Sequence, residues 1–233
     1  MEKKRLSKAL AGAGVSSRRG AEELIYAGRV SVNGECVLIP QTLVDLDTDQ
    51  VLFDGEPVHQ EERKRYLLLN KPKGLVCSNK PGTQLQSVLD LFQNFNERLF
   101  TVGRLDVETT GLLLVTNDGE FANRVIHPSS GIQKEYLVKT TREVGPEHLK
   151  AIKAGTFVEG VYVRPLRITK VRRGTCKIVV KEGRKREVRR LFESVGLKVC
   201  DLSRIRLGNL HLGHLDLGWW RELSLAECEK VFD

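Results

Sequence analysis

One stretch near the middle of the chain, Gly103–Gly119, constrains the fold more than any other. It reads GRLDVETTGLLLVTNDG and contains four consecutive apolar residues, Leu112–Val115. A short apolar run that ends at the turn-forming residues Asn117-Asp118-Gly119 predicts a buried strand followed by a tight turn. The rest of the chain is therefore expected to be organised around this strand.

Asp106, in the same stretch, is a candidate catalytic carboxylate. It lies between Arg104 and a Thr109-Thr110-Gly111 turn, on the lip of the predicted strand. Aspartate is also common in turns, where its side chain bonds to nearby backbone. From the spacing alone both roles stay open and the structural one is favoured, and neither Glu108 nor Asp118 stands out as a second catalytic carboxylate.

The composition favours a polyanionic partner. The 233 residues can form one large domain, or a small domain plus a larger one, and the net charge is +8 with a pI near 9.3. The charge is uneven, with a net of +4 over residues 1–34, −6 over residues 35–60 and +9 over residues 170–206. Two separated basic patches indicate a long anion such as RNA, and a merely soluble basic surface is the alternative.

Motifs for metals, cofactors and membranes are missing from the sequence. The five cysteines form no Cys-x-x-Cys pair, the five histidines do not cluster, and no nucleotide-binding or H-E-x-x-H pattern occurs. No apolar run approaches the roughly 20 residues of a membrane span. We therefore expect a reduced, cytoplasmic protein with no cofactor, no metal site and no membrane contact.

The N-terminal part has a recognisable local order. The pattern predicts a helix over residues 3–13, a second helix capped by Ser16 or Ser17, and a hairpin at Asn33-Gly34. Arg18 and Arg19 lie near the start of the second helix, where the helix dipole disfavours cations. Their position suits contact with phosphates, although two solvated arginines are the simpler interpretation.

The larger C-terminal part predicts an α+β domain around a largely antiparallel or mixed sheet, because helices and strands occur without regular alternation. The last predicted helix carries an apolar stripe that leaves Arg189 and Arg190 off the buried face. The other expected elements are strands at 66–70, 134–138, 161–171 and 176–180, and helices over 84–92, 120–126 and 147–154.

Two resemblances connect these observations. The segment RLSKALAGAGVSSRRGAEELIYAGRVSVNG, with the later turn Asp54-Gly55-Glu56-Pro57, resembles the small αL-type (S4-like) RNA-binding domain. The central stretch resembles the signature of the RsuA/RluB group of ribosomal RNA pseudouridine synthases. Further segments match that group in the same order: KPKG at 71–74, KEYLV at 134–138, EGRKREVRRLFESVG at 182–196 and LSRIRLG at 202–208. Glu187 is closer to the large-subunit synthase B branch, since some relatives have Gln there.

The resemblance implies a reaction and roles for four residues. A uridine is detached from its ribose through N1 and rejoined through C5, with Asp106 as the essential carboxylate. Tyr136 is expected to stack on the flipped base, Arg189 to pair with Asp106, and Arg104 to help hold the helix that the uridine has left. The carboxylate can act as a nucleophile or by abstracting a sugar proton, and the sequence leaves both routes open.

The same resemblance divides the chain into an S4-like domain at 1–59, a linker at 60–65 and a catalytic domain at 66–233. The expected partner of a monomeric enzyme is ribosomal RNA, with 23S RNA favoured, or a ribosomal assembly intermediate. The alternatives are a noncatalytic RNA-binding or ribosome-assembly protein and a synthase that acts on 16S RNA. The residues expected to contact RNA are Lys4, Arg5, Lys8, Arg18, Arg19, Arg29, Lys71, Arg184, Lys185 and Arg186.

Overall fold

The chain divides near residue 64 into two units, each with its own hydrophobic core. A computed structural model describes residues 3–59, 63–77 and 85–233. The smaller unit takes in the described part of Met1–Lys64 with two short segments, 95–98 and 117–119, and the larger unit takes in the rest. Half of the predicted linker, residues 60–62, lies outside the described residues, so the domain boundaries stay a prediction.

The smaller unit is built from two helices and short strands around a core that includes Leu6, Leu10, Ala21 and Ile25. Strands β2, β3, β5 and β6 form one sheet in the order β3-β2-β5-β6, and β1 pairs with β4. Its elements are β1 (Lys4–Arg5), α1 (Leu6–Gly12), α2 (Arg18–Tyr26), β2 (Val30–Val32), β3 (Glu35–Cys36), β4 (Leu43–Val44), β5 (Val51–Phe53) and β6 (Glu56–Pro57).

Local signals in this unit behave as predicted. The side chain of Ser17 caps α2 by accepting a hydrogen bond from the Gly20 N–H at 3.0 Å. Asn33 and Gly34 both have positive φ angles and connect β2 to β3, as a two-residue hairpin turn requires. The predicted helix–helix–hairpin order is confirmed.

The larger unit is dominated by one mixed sheet. Its main path runs β13-β14-β10-β15-β9-β7-β17, with β8 paired to β9 and β16 to β15. The strands are β7 (Tyr66–Lys71), β8 (Phe100–Val102), β9 (Thr110–Thr116), β10 (Lys134–Thr140), β11 (Thr156–Val158), β12 (Val161–Val163), β13 (Arg167–Arg172), β14 (Thr175–Val180), β15 (Val199–Leu207), β16 (Leu210–His211) and β17 (Trp220–Glu222). The helices that follow in this part of the chain are α3 (Gly119–Ile126), α4 (Pro146–Ala154), α5 (Glu187–Glu193) and α6 (Leu225–Glu229), with 3₁₀ helices at Val88–Phe92 and Pro128–Ser130.

The central strand β9 confirms the prediction made from Leu112–Val115. All seven of its residues are buried, as expected for a strand covered on both faces. It pairs in parallel with β15 and antiparallel with β7 and β8. The sheet is therefore mixed, in agreement with the predicted fold class.

Three elements differ from the sequence prediction. The helix expected over 84–92 is a short 3₁₀ helix that begins at Val88, and residue 84 lies outside the described residues. The region 161–171 contains two strands, and the first of them pairs with β11, which the pattern did not reveal. The side chains of the strand expected over 134–138 should alternate between buried and exposed, but Glu135 and Tyr136 are both buried, where the pairing with β15 is irregular.

Gly111 allows β9 and β15 to approach closely. Its φ is +102°, and a Cβ added there would lie 2.7 Å from the backbone nitrogen of Arg204 and closer still to that residue's carbonyl oxygen. A side chain at this position would therefore collide with backbone, which cannot rotate away.

We predict that Gly111→Ala lowers the free energy of unfolding of the larger unit by about 2–4 kcal/mol, through the collision and the unfavourable φ. Both tryptophans, Trp219 and Trp220, lie in this unit, so urea unfolding followed by tryptophan fluorescence reports on it. Gly196→Ala is the control, because Gly196 lies in the same unit with a φ of +75° and a Cβ there meets nothing within 4 Å. Equal stability of the two variants would contradict the prediction.

Candidate active site

The loop that precedes β9 carries Asp106. Leu105 and Thr109 are buried on either side of it, and the Asp106 side chain is only partly buried. The backbone N–H of Thr109 donates to the Asp106 carbonyl at 3.0 Å, which closes the turn. The two buried neighbours hold the loop against the sheet, and Asp106 between them stays partly exposed.

Lys71, the last residue of β7, fastens this loop through its ammonium group. Its Nζ lies 3.3 Å from the carbonyl oxygens of Asp106 and Val107, 3.2 Å from that of Thr109 and 2.9 Å from that of Pro72. The side chain is fully buried, at 0% exposure. A single cation thus satisfies backbone acceptors along the whole turn.

The remaining loop carbonyls have other donors. The Sγ of Cys77 lies 3.5 Å from the Leu105 carbonyl oxygen, and the Nη2 of Arg189 donates to the Glu108 carbonyl at 3.1 Å. The Gly74 N–H adds a second bond to the Val107 carbonyl at 3.0 Å. All five carbonyls from residue 105 to residue 109 are therefore held, and none of these bonds uses the Asp106 carboxylate.

The prediction that Lys71 contacts RNA is wrong. Its ammonium is enclosed and its hydrogens point to backbone carbonyls, so no phosphate can reach it. Burial lowers the pKa of Lys71, and the nearby Cys77, Asp106 and Glu108 act in the opposite direction. Lys71 instead belongs to the support of the loop that carries Asp106.

Arg189 is also placed differently from the prediction. It was expected on the solvent side of its helix, yet it is 7% exposed. Its Nη1 donates to the Val199 carbonyl at 3.3 Å, and its Nε is buried without a partner. Within the described residues no ion pair joins Arg189 to Asp106. The guanidinium bonds the Asp106 loop through the Glu108 backbone instead.

The sheet register brings Tyr136 into the same neighbourhood. Tyr136 on β10 is opposite Arg204 on β15, Arg204 is beside Gly111 on β9, and Gly111 is opposite Lys71 on β7. The four residues form one row across adjacent strands, with Tyr136 about 10 Å from Gly111 by strand spacing. Tyr136 is mostly buried in this row, at 7% exposure.

Arg204 is a site residue that sequence reasoning missed. It is buried, and its Nε donates to the Leu112 carbonyl at 2.8 Å, just after the close approach at Gly111. The segment LSRIRLG was noted as a family match, but an arginine in an alternating strand gives no sign that it faces inward. Only the pairing of β15 with β9 reveals its role.

Glu187 organises the start of α5, the helix that carries Arg189. Its Oε2 accepts hydrogen bonds from the N–H groups of Gly183 and Arg184, both at 2.8 Å. Burial raises the pKa of Glu187, and the two backbone bonds act in the opposite direction. The preceding loop is held from its other side by Lys134, whose Nζ bonds the carbonyls of Ile132, Lys181 and Glu182.

None of the other predicted contact residues is buried. Arg104 is exposed, and Arg29 forms an ion pair with Asp54, which lowers the pKa of Asp54. Arg184 is paired with Glu182 at 2.7 Å. The other predicted RNA contacts are exposed or partly exposed: Lys4, Arg5, Lys8, Arg18, Arg19, Lys185 and Arg186.

Neither a metal centre nor a membrane span is found in the described part of the chain. No group of three or more His, Cys, Asp or Glu side chains there could hold a metal ion. None of the helices in residues 3–59, 63–77 and 85–233 is long and apolar enough to cross a bilayer.

Comparison with known proteins settles the family. Residues 65–194 match the RNA pseudouridylate synthase family, and residues 4–51 match the S4 domain. The chain belongs to the RNA pseudouridylate synthase family. A crystal structure of a pseudouridylate synthase superimposes with a TM-score of 0.70 at 30% identity, covering 99% of this chain and 100% of that one.

Two relatives extend over nearly the whole chain. It is 38% identical to the ribosomal large subunit pseudouridine synthase B of Bacillus subtilis, covering 97% of this chain and 95% of that protein. It is 43% identical to an Arabidopsis thaliana chloroplast protein named as a ribosomal large subunit pseudouridine synthase, covering 97% of this chain. This chain spans 59% of the length of the Arabidopsis protein.

We predict that Lys71→Met releases the loop of this pseudouridine synthase. The variant removes the ammonium that bonds three loop carbonyls, of which those of Asp106 and Val107 keep one backbone donor each, so amide hydrogen exchange in residues 103–110 is expected to accelerate. Pseudouridine formation is expected to fall about 100-fold, the effect of a displacement of about 1 Å at a reacting group.

Lys73→Met is the matched control, because Lys73 is exposed and its ammonium pairs with Asp201 at 3.0 Å. Both substitutions remove one positive charge from the same segment of the chain, and only Lys71 bonds the loop that carries Asp106. Exchange rates and activity that match between the two variants would show that the Lys71 bonds do not hold the loop.

A pH-dependent prediction concerns Glu187→Gln, which can keep both backbone bonds through its amide oxygen. The folded protein retains the Glu187 proton above the ordinary pKa of 4.5, so the unfolded state binds fewer protons between 4.5 and the raised pKa. Wild-type stability relative to the variant should therefore fall as the pH rises through that window. Urea unfolding at several pH values measures it, with the exposed Glu229→Gln as control; parallel curves for wild type and Glu187→Gln would refute it.

Proposed function

We propose that this protein isomerises a uridine of ribosomal RNA to pseudouridine, with Asp106 as the catalytic carboxylate. One observation carries the proposal: five consecutive carbonyls around Asp106 are held by Lys71, Cys77 and Arg189, while the carboxylate takes no part in those bonds. A rigid backbone with a side chain left for chemistry is what a catalytic loop requires.

The reaction needs a carboxylate and no external reagent. The N1–C1′ bond breaks, the C5–C1′ bond forms, the C5 proton is lost and N1 gains a proton, so reactant and product are isomers. Asp106 can attack C1′ as a nucleophile or abstract a sugar proton. Both routes require an ionised carboxylate beside the ribose. The bonds that fix the backbone of the Asp106 loop would position the carboxylate for either route.

Tyr136 is proposed as the platform for the flipped base. A base that leaves its helix loses stacking, and an aromatic side chain returns about 1–3 kcal/mol of it. Tyr136 has neighbours on both flanking strands, Ile178 on β14 and Arg204 on β15. A ring held in this way loses little freedom when a base binds, which favours stacking.

The RNA target follows from the domain pair and the relatives. An S4 domain match precedes the catalytic domain, and exposed cations occur in both parts of the chain. Relatives at 38–39% identity are named ribosomal large subunit pseudouridine synthase B. We therefore propose the large-subunit RNA as substrate, with residues 1–59 capturing RNA and residues 66–233 performing the reaction.

Asp106→Asn is expected to abolish pseudouridine formation while RNA binding survives, because the amide can neither attack C1′ nor accept a proton. Release of tritium from large-subunit RNA labelled at uridine C5 measures the reaction directly, since C5 loses its hydrogen. Filter binding of the same RNA measures affinity.

Glu108→Gln is the control for this experiment. It removes a carboxylate two residues away whose side chain is exposed, and leaves the backbone bond to Arg189 available. It should retain tritium release near the wild-type rate. Tritium release by the Asp106→Asn variant would contradict the assignment of Asp106 as the catalytic residue.

A further inference from the structure

The β11–β12 hairpin presents two aromatic side chains to solvent. Phe157 is 70% exposed, and its ring meets that of Tyr162 edge to face at 5.4 Å between centroids. The Tyr162 hydroxyl donates to the Ala154 carbonyl at the end of α4. The Phe157 ring therefore stands on a supported hairpin instead of at the tip of a long free loop.

A cavity of about 420 Å³ lies between this hairpin and α5. The hairpin wall carries an aromatic, an aliphatic and an acidic residue, Phe157, Val158 and Glu159. The opposite wall is basic, with Lys185 and Arg186 just before α5 and Arg190 within it.

The basic wall has a surplus of positive charge. Arg186 is the residue that precedes α5 and Arg190 lies within the helix, and the guanidinium groups of both are 3.6 Å from the carboxylate of Glu193. Lys185 is exposed beside them. Three cations against Glu193 and Glu159 leave a net positive wall, which favours an anionic ligand.

We propose that this cavity binds an unpaired nucleotide of the substrate RNA, with its base stacked on Phe157 and its phosphate against Lys185, Arg186 and Arg190. An aromatic face beside cations is the combination that binds single-stranded nucleic acid without reading its sequence. This inference rests on the proposed function, because it assigns the cavity to the same RNA that is modified.

The helix α5 connects the cavity to the catalytic loop. Arg190 lines the cavity, and its neighbour Arg189 bonds the Glu108 carbonyl two residues from Asp106. An RNA strand that follows α5 would therefore contact both places. The nucleotide in the cavity would fix the strand beside the target uridine and favour targets with an unpaired neighbour.

The test uses the full chain and a short oligouridine that carries one 2-aminopurine, whose fluorescence is quenched by stacking. Phe157→Ala is expected to bind this probe about 5- to 100-fold more weakly and to reduce the quench, and Phe157→Trp to restore both. Leu225→Ala is the control, because Leu225 is equally exposed at 72% and lies outside the cavity.

The cations are tested separately through salt. Lys185→Ala should weaken binding of the oligouridine and reduce the slope of log affinity against log salt by about 1. An unchanged affinity and quench in Phe157→Ala would overturn the proposal. The proposal would also be overturned if the same substitutions weakened binding of a fluorescent oligoglutamate and left binding of the oligouridine unchanged. That result would assign the cavity to an acidic protein segment.

Failure here can be told apart from failure of the proposed function. Binding and quenching of the oligouridine need no catalysis, so they can be measured in the Asp106→Asn variant as well. If the wild-type protein releases tritium but Phe157→Ala binds the oligouridine as tightly as wild type does, only the proposal for the cavity is rejected. If Phe157 quenches the probe but the wild-type protein releases no tritium from ribosomal RNA, only the proposed reaction is rejected.

Discussion

The buried ammonium of Lys71 is the interaction on which the geometry of the site depends. Taking a cation out of water is costly unless its hydrogens find acceptors, and here four carbonyls lie within reach. Three of them belong to the turn that carries Asp106. Since Lys71 ends β7 and is opposite Gly111 at the start of β9, the register of the two strands decides where the carboxylate stands.

The sheet transmits the same constraint to the other side of the site. Gly111 lets β15 approach β9, and this approach brings Arg204 within 2.8 Å of the Leu112 carbonyl. Arg204 is in turn opposite Tyr136 on the next strand. The distance between the backbone of Tyr136, whose ring is proposed to receive the base, and the strand that follows the Asp106 loop is therefore set by strand spacing.

Local signals could be predicted from the sequence, and long-range ones could not. Leu112–Val115, the Ser17 cap and the Asn33-Gly34 turn are determined by neighbours in the chain, and the structure confirms them. Lys71 was expected to contact RNA; lysine is rarely buried, and three of its four acceptors lie 35 to 38 residues away in the chain. The hairpin strand β11 was missed because it has three residues, one of them an exposed Phe157.

Three buried cations share a feature that explains how a carboxylate can work on RNA. Lys71, Arg189 and Arg204 all donate to backbone carbonyls, and no carboxylate of the described residues lies within ion-pair distance of any of them. A carbonyl satisfies a hydrogen but does not cancel a charge, so the positive field persists. Asp106 would otherwise repel the phosphates around the target uridine. Cations that bond backbone carbonyls offset that repulsion without pairing with Asp106, which leaves its carboxylate available for the role proposed for it.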